Sequence, residues 1–304
     1  MPGVRFEVDI DYPGDDRFAE LVVDWLDRTS RALAGTVRDE IEQGPRLSAA
    51  ATRSAIACGP PGAAWGFLST ARKPGAAMKR HTKIAYAANL PKLAGLLDAT
   101  TQDTRIALYH LDECGMPGTG RWHLDVYAYR DETARAALRL FFAVPEEDLR
   151  DRPFQDSCRQ VLFGLAAQHD PLYGDVTYDA GLLGETVVEA LVGPPWVRYA
   201  DTIGRARQRL RGYGWLTVVP RELAAKLGGA ARSALSKAFA EVTELPSGAL
   251  WLRATDDYFD YDQDAATRVV RALASVLPPG RPRPECAADL PYKYGDLDPA
   301  ELTA

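Results

Sequence analysis

Cysteine and histidine are scarce in this chain, and the patterns missing around them remove several familiar chemistries. Its 304 residues hold four cysteines (Cys58, Cys114, Cys158, Cys286), far apart and with no Cys-x-x-Cys pair, and four histidines (His81, His110, His123, His169). No closed cysteine–histidine zinc site is visible. There is no P-loop, no Gly-x-Ser-x-Gly elbow and no His-Glu-x-x-His helix. The Gly59-Pro60-Pro61-Gly62 stretch contains prolines, which cannot donate N–H groups to a phosphate. No apolar run is long enough to span a bilayer. The opening Val4-Arg5-Phe6-Glu7-Val8-Asp9 carries charges where a signal peptide needs an apolar core. Reduced structural thiols and a cytoplasmic location are therefore expected. Positive charge is not in excess either: 36 Lys and Arg against 42 Asp and Glu leave a net charge of −6. That balance disfavours nucleic acid and anionic membrane as partners, because both need a cationic face.

What is present reads as a globular chain, 46% hydrophobic and 26% charged, long enough for two domains. Val4, Phe6, Val8 and Ile10 alternate with Arg5, Glu7, Asp9 and Asp11, which predicts a half-buried strand. A helix follows with Phe18, Leu21, Val22, Trp25, Leu26 and Leu33 on one face and Gly35 as its stop. Residues 48–83 are expected to form loops with short strands, and a short helix is expected near 90–97. Two strands, 105–112 and 122–129, come next. The second half predicts a strand at 138–144, a helix through Phe154 and Leu165, a strand at 175–178, a helix near 201–210 and a strand at 213–219. Pro220 opens a helix ending at Gly228-Gly229, a hairpin turns over Pro246-Ser247-Gly248, and the last helix holds Val269 and Leu273. Two echoes suggest duplication. Phe142-Ala143-Val144-Pro145 with Glu147 matches Thr217-Val218-Val219-Pro220 with Glu222. The first helix with Gly35–Asp39 matches the Phe154 helix with Gly174–Asp179. The expected fold is α+β: two related units of mostly antiparallel sheet with helices packed on one face, at 1–130 and 131–280, then a Pro-rich tail at 281–304.

Two constellations could carry function. His110-Leu111-Asp112 and His123-Leu124-Asp125 each put an imidazole and a carboxylate on one strand face. If His110 lies opposite Asp125, the four groups His110, Asp112, His123 and Asp125 converge and suit a divalent metal; a slip of one residue dissolves the site. The second is the run Asp256, Asp257, Tyr258, Phe259, Asp260, Tyr261, Asp262. It lacks the glycine and the glutamate of a calcium loop. Asp262 or Asp264 can cap the last helix, while the aromatics among carboxylates can form a surface for a basic partner. Arg205, Arg207, Arg209 and Arg211 read as a solvated face, and the basic segment from Arg72 to Lys83 as a mobile loop.

From Gly214-Trp215-Leu216-Thr217-Val218-Val219-Pro220-Arg221-Glu222-Leu223 to Gly228-Gly229, and again at Leu245-Pro246-Ser247-Gly248-Ala249-Leu250-Trp251-Leu252-Arg253-Ala254, the chain resembles a bacterial immunity-protein family linked to type VI secretion toxins. The resemblance covers mainly residues 213–255. It implies a protein that neutralises a cognate protein toxin by binding it, with no catalysis and no cofactor. An acidic-aromatic partner surface, Asp256 to Asp262, fits that expectation. The alternative is a metal-dependent enzyme, a hydrolase or one of specialised metabolism, that uses His110, Asp112, His123 and Asp125.

Overall fold

The alternation at the start of the chain forms strand β1 (Gly3–Asp11). In the computed structural model this strand groups with the second half of the chain. One compact unit is Met1–Tyr12 with Glu146–Ala304, the other Pro13–Pro145. A boundary near residue 130 would have placed β1 in the N-terminal unit. Within the unit that holds it, Val4 lies opposite Tyr178 and Glu7 opposite Asp175 in an antiparallel ladder. The structure describes residues 3–12, 17–44, 60–72, 79–81, 93–95, 97, 101–116, 120–131, 134, 136–179, 186–192, 199–230, 233–283 and 293–303. Both units are α+β with antiparallel strand pairs.

The Pro13–Pro145 unit contains helix α1 (Phe18–Gln43) and strands β2 (Ala64–Arg72), β3 (Lys79–His81), β4 (Thr101–His110), β5 (Arg121–Tyr129) and β6 (Ala137–Val144). The strand order is β3-β2-β4-β5-β6. Helix α1 packs on β2, β4 and β5. Its buried stripe includes Val22, Trp25, Leu26 and Leu33, and the Trp25 indole donates to the Tyr127 carbonyl at 2.9 Å. Gly35 does not stop this helix. The backbone leaves helical geometry only at Ala34 (φ −141°, ψ 37°) and then resumes. The apolar spacing explains the continuation, because Val37 and Ile41 are also buried. Arg38, buried as well, reaches back over the kink to Asp27 Oδ1 at 2.8 Å and Ser30 Oγ at 3.0 Å. The echo of Gly35–Asp39 with Gly174–Asp179 therefore fails, since the first segment is helix and the second strand. Of the loop-rich 48–83 region, β2 is a full nine-residue strand. Most of the helix expected near 90–97 lies outside the described residues.

The other unit orders its strands β1-β7-β8-β10-β9, with β7 (Pro171–Asp179), β8 (Leu216–Val219), β9 (Glu241–Glu244) and β10 (Leu250–Arg253). Its helices are α2 (Arg152–Gln168), α3 (Val187–Leu191), α4 (Tyr199–Ile203), α5 (Arg221–Leu227), α6 (Ser233–Ala238) and α7 (Gln263–Leu273). The helix expected over 201–210 shortens to α4 followed by turns. The Val-Pro echo holds. Val144-Pro145 leads into a 3-10 turn (Glu146–Arg150) and α2. Val219-Pro220 leads into α5, closed by Gly228 at φ 84°. Trp215 and Trp251 are both buried, and Phe163 of α2 meets the Trp251 ring edge-on. Gly214 is a close approach: a Cβ there would lie 2.2 Å from the Val176 carbonyl oxygen. The described part of the tail docks on this unit, with the Gly295 N–H donating to the Tyr213 hydroxyl at 3.1 Å. Among the described residues no helix is long and apolar enough to cross a membrane.

Candidate functional site

The four-residue His–Asp site depends on register, and the register separates it. Asp125 lies opposite Ala107, not His110. Its carboxylate takes a two-point bond from Arg105, Nε to Oδ1 at 3.1 Å and Nη2 to Oδ2 at 2.7 Å. Asp112 turns back on its own loop, where Oδ1 accepts from the Cys114 and Met116 N–H groups. The two histidines, however, do meet. Leu108 pairs with Leu124 but Tyr109 pairs with Trp122, so β5 advances two residues while β4 advances one. His123 is the extra residue of this bulge. His110 Nδ1 stands 2.7 Å from His123 Nε2, and His110 Nε2 stands 2.8 Å from Glu40 Oε2 on α1. Burial, then the neighbouring His110 and Arg121, push the His123 imidazole down to about 4, so it is neutral at physiological pH. Glu40 sits seventy residues upstream of His110, and no local pattern in the sequence points to it. Among the described residues no group of three or more His, Cys, Asp or Glu side chains is arranged to hold a metal ion.

The acidic-aromatic run divides into an inward and an outward part. Tyr261 is buried. The Tyr258 hydroxyl donates to Glu146 Oε1 at 3.3 Å, and its ring meets Trp215 edge-on. Asp257 is structural: Oδ1 accepts from the Phe259 N–H at 2.8 Å, and Oδ2 pairs with Arg152 at 3.2 Å. Asp262 caps α7 through the Ala265 N–H at 2.8 Å. Phe259, Asp256 and Asp260 are exposed, as is Asp264 in the first turn of α7. Phe259 is one of two exposed large apolar side chains among the described residues, at 38%, and the Arg150 guanidinium lies 4.6 Å from its ring centre. The outward surface is thus Asp256, Phe259, Asp260, Asp262 and Asp264. The side chains of the basic segment from Arg72 to Lys83 lie outside the described residues.

The four arginines after α4 divide: Arg205 and Arg209 are exposed, as expected of a solvated face, whereas Arg207 and Arg211 are engaged by carboxylates. Arg207 bridges Asp11 at 2.6 Å, Glu222 at 2.7 Å and Asp170 at 2.9 Å. Arg211 is fully enclosed. Its guanidinium binds both oxygens of Glu189 at 3.0 and 3.1 Å, Glu7 at 3.1 Å, and Asp9. It lies between the Tyr173 and Tyr199 rings. The polar side of β1, expected to face water, is consequently buried: Arg5, Glu7 and Asp9 are each 1% exposed or less. Glu189 is held by a capping box in which Thr186 accepts from the Glu189 N–H and Glu189 accepts from the Thr186 N–H. Arg207, Arg211 and the carboxylate groups they bind are engaged with one another, which marks the cluster as architecture.

No protein-family model matches the chain, and no curated protein does. Among solved structures, the Pseudomonas aeruginosa T6SS protein PA0821 is similar, with a TM-score of 0.53 and 13% identity, over 91% of this chain and 73% of that chain. At that identity the likeness is one of fold.

Proposed function

We propose that this chain is an immunity protein of the type VI secretion system (T6SS), neutralising a cognate toxin by binding it and catalysing nothing itself. The observation that carries this reading is the fold it shares with a T6SS protein across nearly its whole length. The residues around Gly214 and Leu245 that resemble an immunity family support it from the sequence side. A protein partner also suits the surface: an exposed phenylalanine rimmed by carboxylates offers contact area and steering charge to a basic partner. The competing metal-dependent enzyme loses its four-residue site, because Asp112 and Asp125 are engaged elsewhere.

The test is co-expression with the protein encoded by the adjacent reading frame. A stable complex that survives size exclusion, together with rescue of host growth from the toxic product, is the expected result. No complex and no rescue with any neighbouring product would reject the reading.

A further inference from the structure

The geometry points to a second site, independent of the toxin-binding reading: we propose that His110 and His123 form a two-imidazole site for a borderline divalent metal ion such as Zn2+, with Glu40 orienting His110. The bulge in β5 is the first argument. In an unbroken ladder Tyr109 would face His123 and His110 would face Trp122, which places the two imidazoles on opposite sides of the sheet. The extra residue brings His110 Nδ1 and His123 Nε2 to 2.7 Å instead. Bulges of this kind re-aim a side chain at the cost of ladder pairing.

Glu40 supplies the second argument. A carboxylate 2.8 Å from His110 Nε2 holds the ring proton on that nitrogen. The Nδ1 lone pair is then directed at His123. A carboxylate behind an imidazole whose other nitrogen points at a shared position is the arrangement that orients metal-binding histidines. In the metal-free chain the His123 Nε2–H donates to His110 Nδ1. On binding, that proton moves to His123 Nδ1, so two lone pairs face the ion and no proton is lost from two neutral rings. Zinc–nitrogen bonds of about 2.0–2.1 Å at a tetrahedral angle need the nitrogens about 3.3 Å apart. Small side-chain rotations supply the difference. His110 is 27% exposed and Glu40 49%, so water can complete the coordination. Imidazole donors select zinc, copper or nickel over magnesium and calcium.

The test uses the untagged full chain in calorimetric titrations with Zn2+ alone and Mg2+ alone. One Zn2+ per chain is expected, with no Mg2+ binding. His110→Gln and His123→Gln should each weaken Zn2+ at least tenfold, and Glu40→Gln about tenfold with stoichiometry kept. Should a histidine variant fail to fold, the visible spectrum of Co2+ added to the unmodified chain decides: tetrahedral d–d bands support the site. No Zn2+ binding, binding equal to that of a folded His110→Gln/His123→Gln variant, or a Co2+ spectrum like that of the free aqueous ion, would overturn the proposal.

Discussion

Arg211 illustrates how much a single side chain organises here. Removing two charges from water costs several kcal/mol per ion, and only close multiple bonds recover it. Arg211 has them with Glu7, Asp9 and Glu189. Arg211→Met keeps the volume of the stem but leaves three carboxylates facing one another, so it should destabilise the fold by about 3–5 kcal/mol in denaturant melts. Asp175 is the less comfortable member of the same row. It lies directly across from Glu7, and the Arg5 guanidinium stands 4.0 Å away. Burial, with Glu7 adding to it against the opposing pull of Arg5, pushes its carboxyl up to about 6. The folded chain therefore holds a proton that the unfolded chain releases above its usual value of 3.8. Stability from this group is present below about pH 4 and is lost as pH rises through about 6. Asp175→Asn should cancel that loss. Relative to the unmodified chain, the variant should gain on the order of 1–3 kcal/mol between pH 4 and pH 7. A pH-independent difference between the two proteins would show that the carboxyl is ionised throughout.

At the scale of elements, the sequence was most legible where local chemistry and tertiary packing agree. The β8–α5 junction and the β9–β10 hairpin follow from proline at a helix entry, glycine at positive φ (Gly228 at 84°, Gly248 at 82°) and apolar alternation. It was least legible in β1. The alternation correctly gives a strand, but whether its polar side meets water depends on Arg211, about two hundred residues away. No periodicity carries that information. Gly35 misled for a related reason: its helix-ending tendency of about 1 kcal/mol is outweighed by the burial of Val37 and Ile41 beyond it. The two central tryptophans separate packing from hydrogen bonding. Trp215→Ala and Trp251→Ala should each cost about 3–5 kcal/mol, since both rings are almost wholly enclosed. Their phenylalanine variants should differ. The Trp215 indole donates to the Thr255 carbonyl at 3.0 Å, whereas among the described residues the Trp251 N–H meets no acceptor. Trp215→Phe should therefore be the costlier by about 1 kcal/mol, the net worth of one hydrogen bond. Equal losses in urea melts would contradict this assignment.

For the whole molecule, the question is where a partner would bind. The sequence marked residues 256–262 by composition but could not divide inward from outward side chains. Tyr258 and Tyr261 proved to serve the interior, and Asp257 and Asp262 to serve turns. Altering all the aspartates together would therefore disturb the fold along with any interface. The informative variant changes Asp256, Asp260 and Asp264 to Asn and leaves Asp257 and Asp262 in place. Of these three, Asp256 pairs with Arg253 at 3.0 Å, but its side chain is 76% exposed, and exposed pairs contribute about 0–1 kcal/mol. The melting curve should barely move. If the proposed surface receives a basic toxin, removing three charges should slow association and flatten its salt dependence, with little effect on dissociation. Phe259→Ala should act on the other rate. An exposed ring stacked with Arg150 is positioned to become buried in a complex, and its loss should speed dissociation by an amount worth about 2 kcal/mol if it anchors the interface. Surface-based kinetics at two salt concentrations separate the two effects. A folded triple-Asn variant and a folded Phe259→Ala variant that both bind with unchanged rates would move the interface off this surface, leaving the basic segment from Arg72 to Lys83 as the next place to probe.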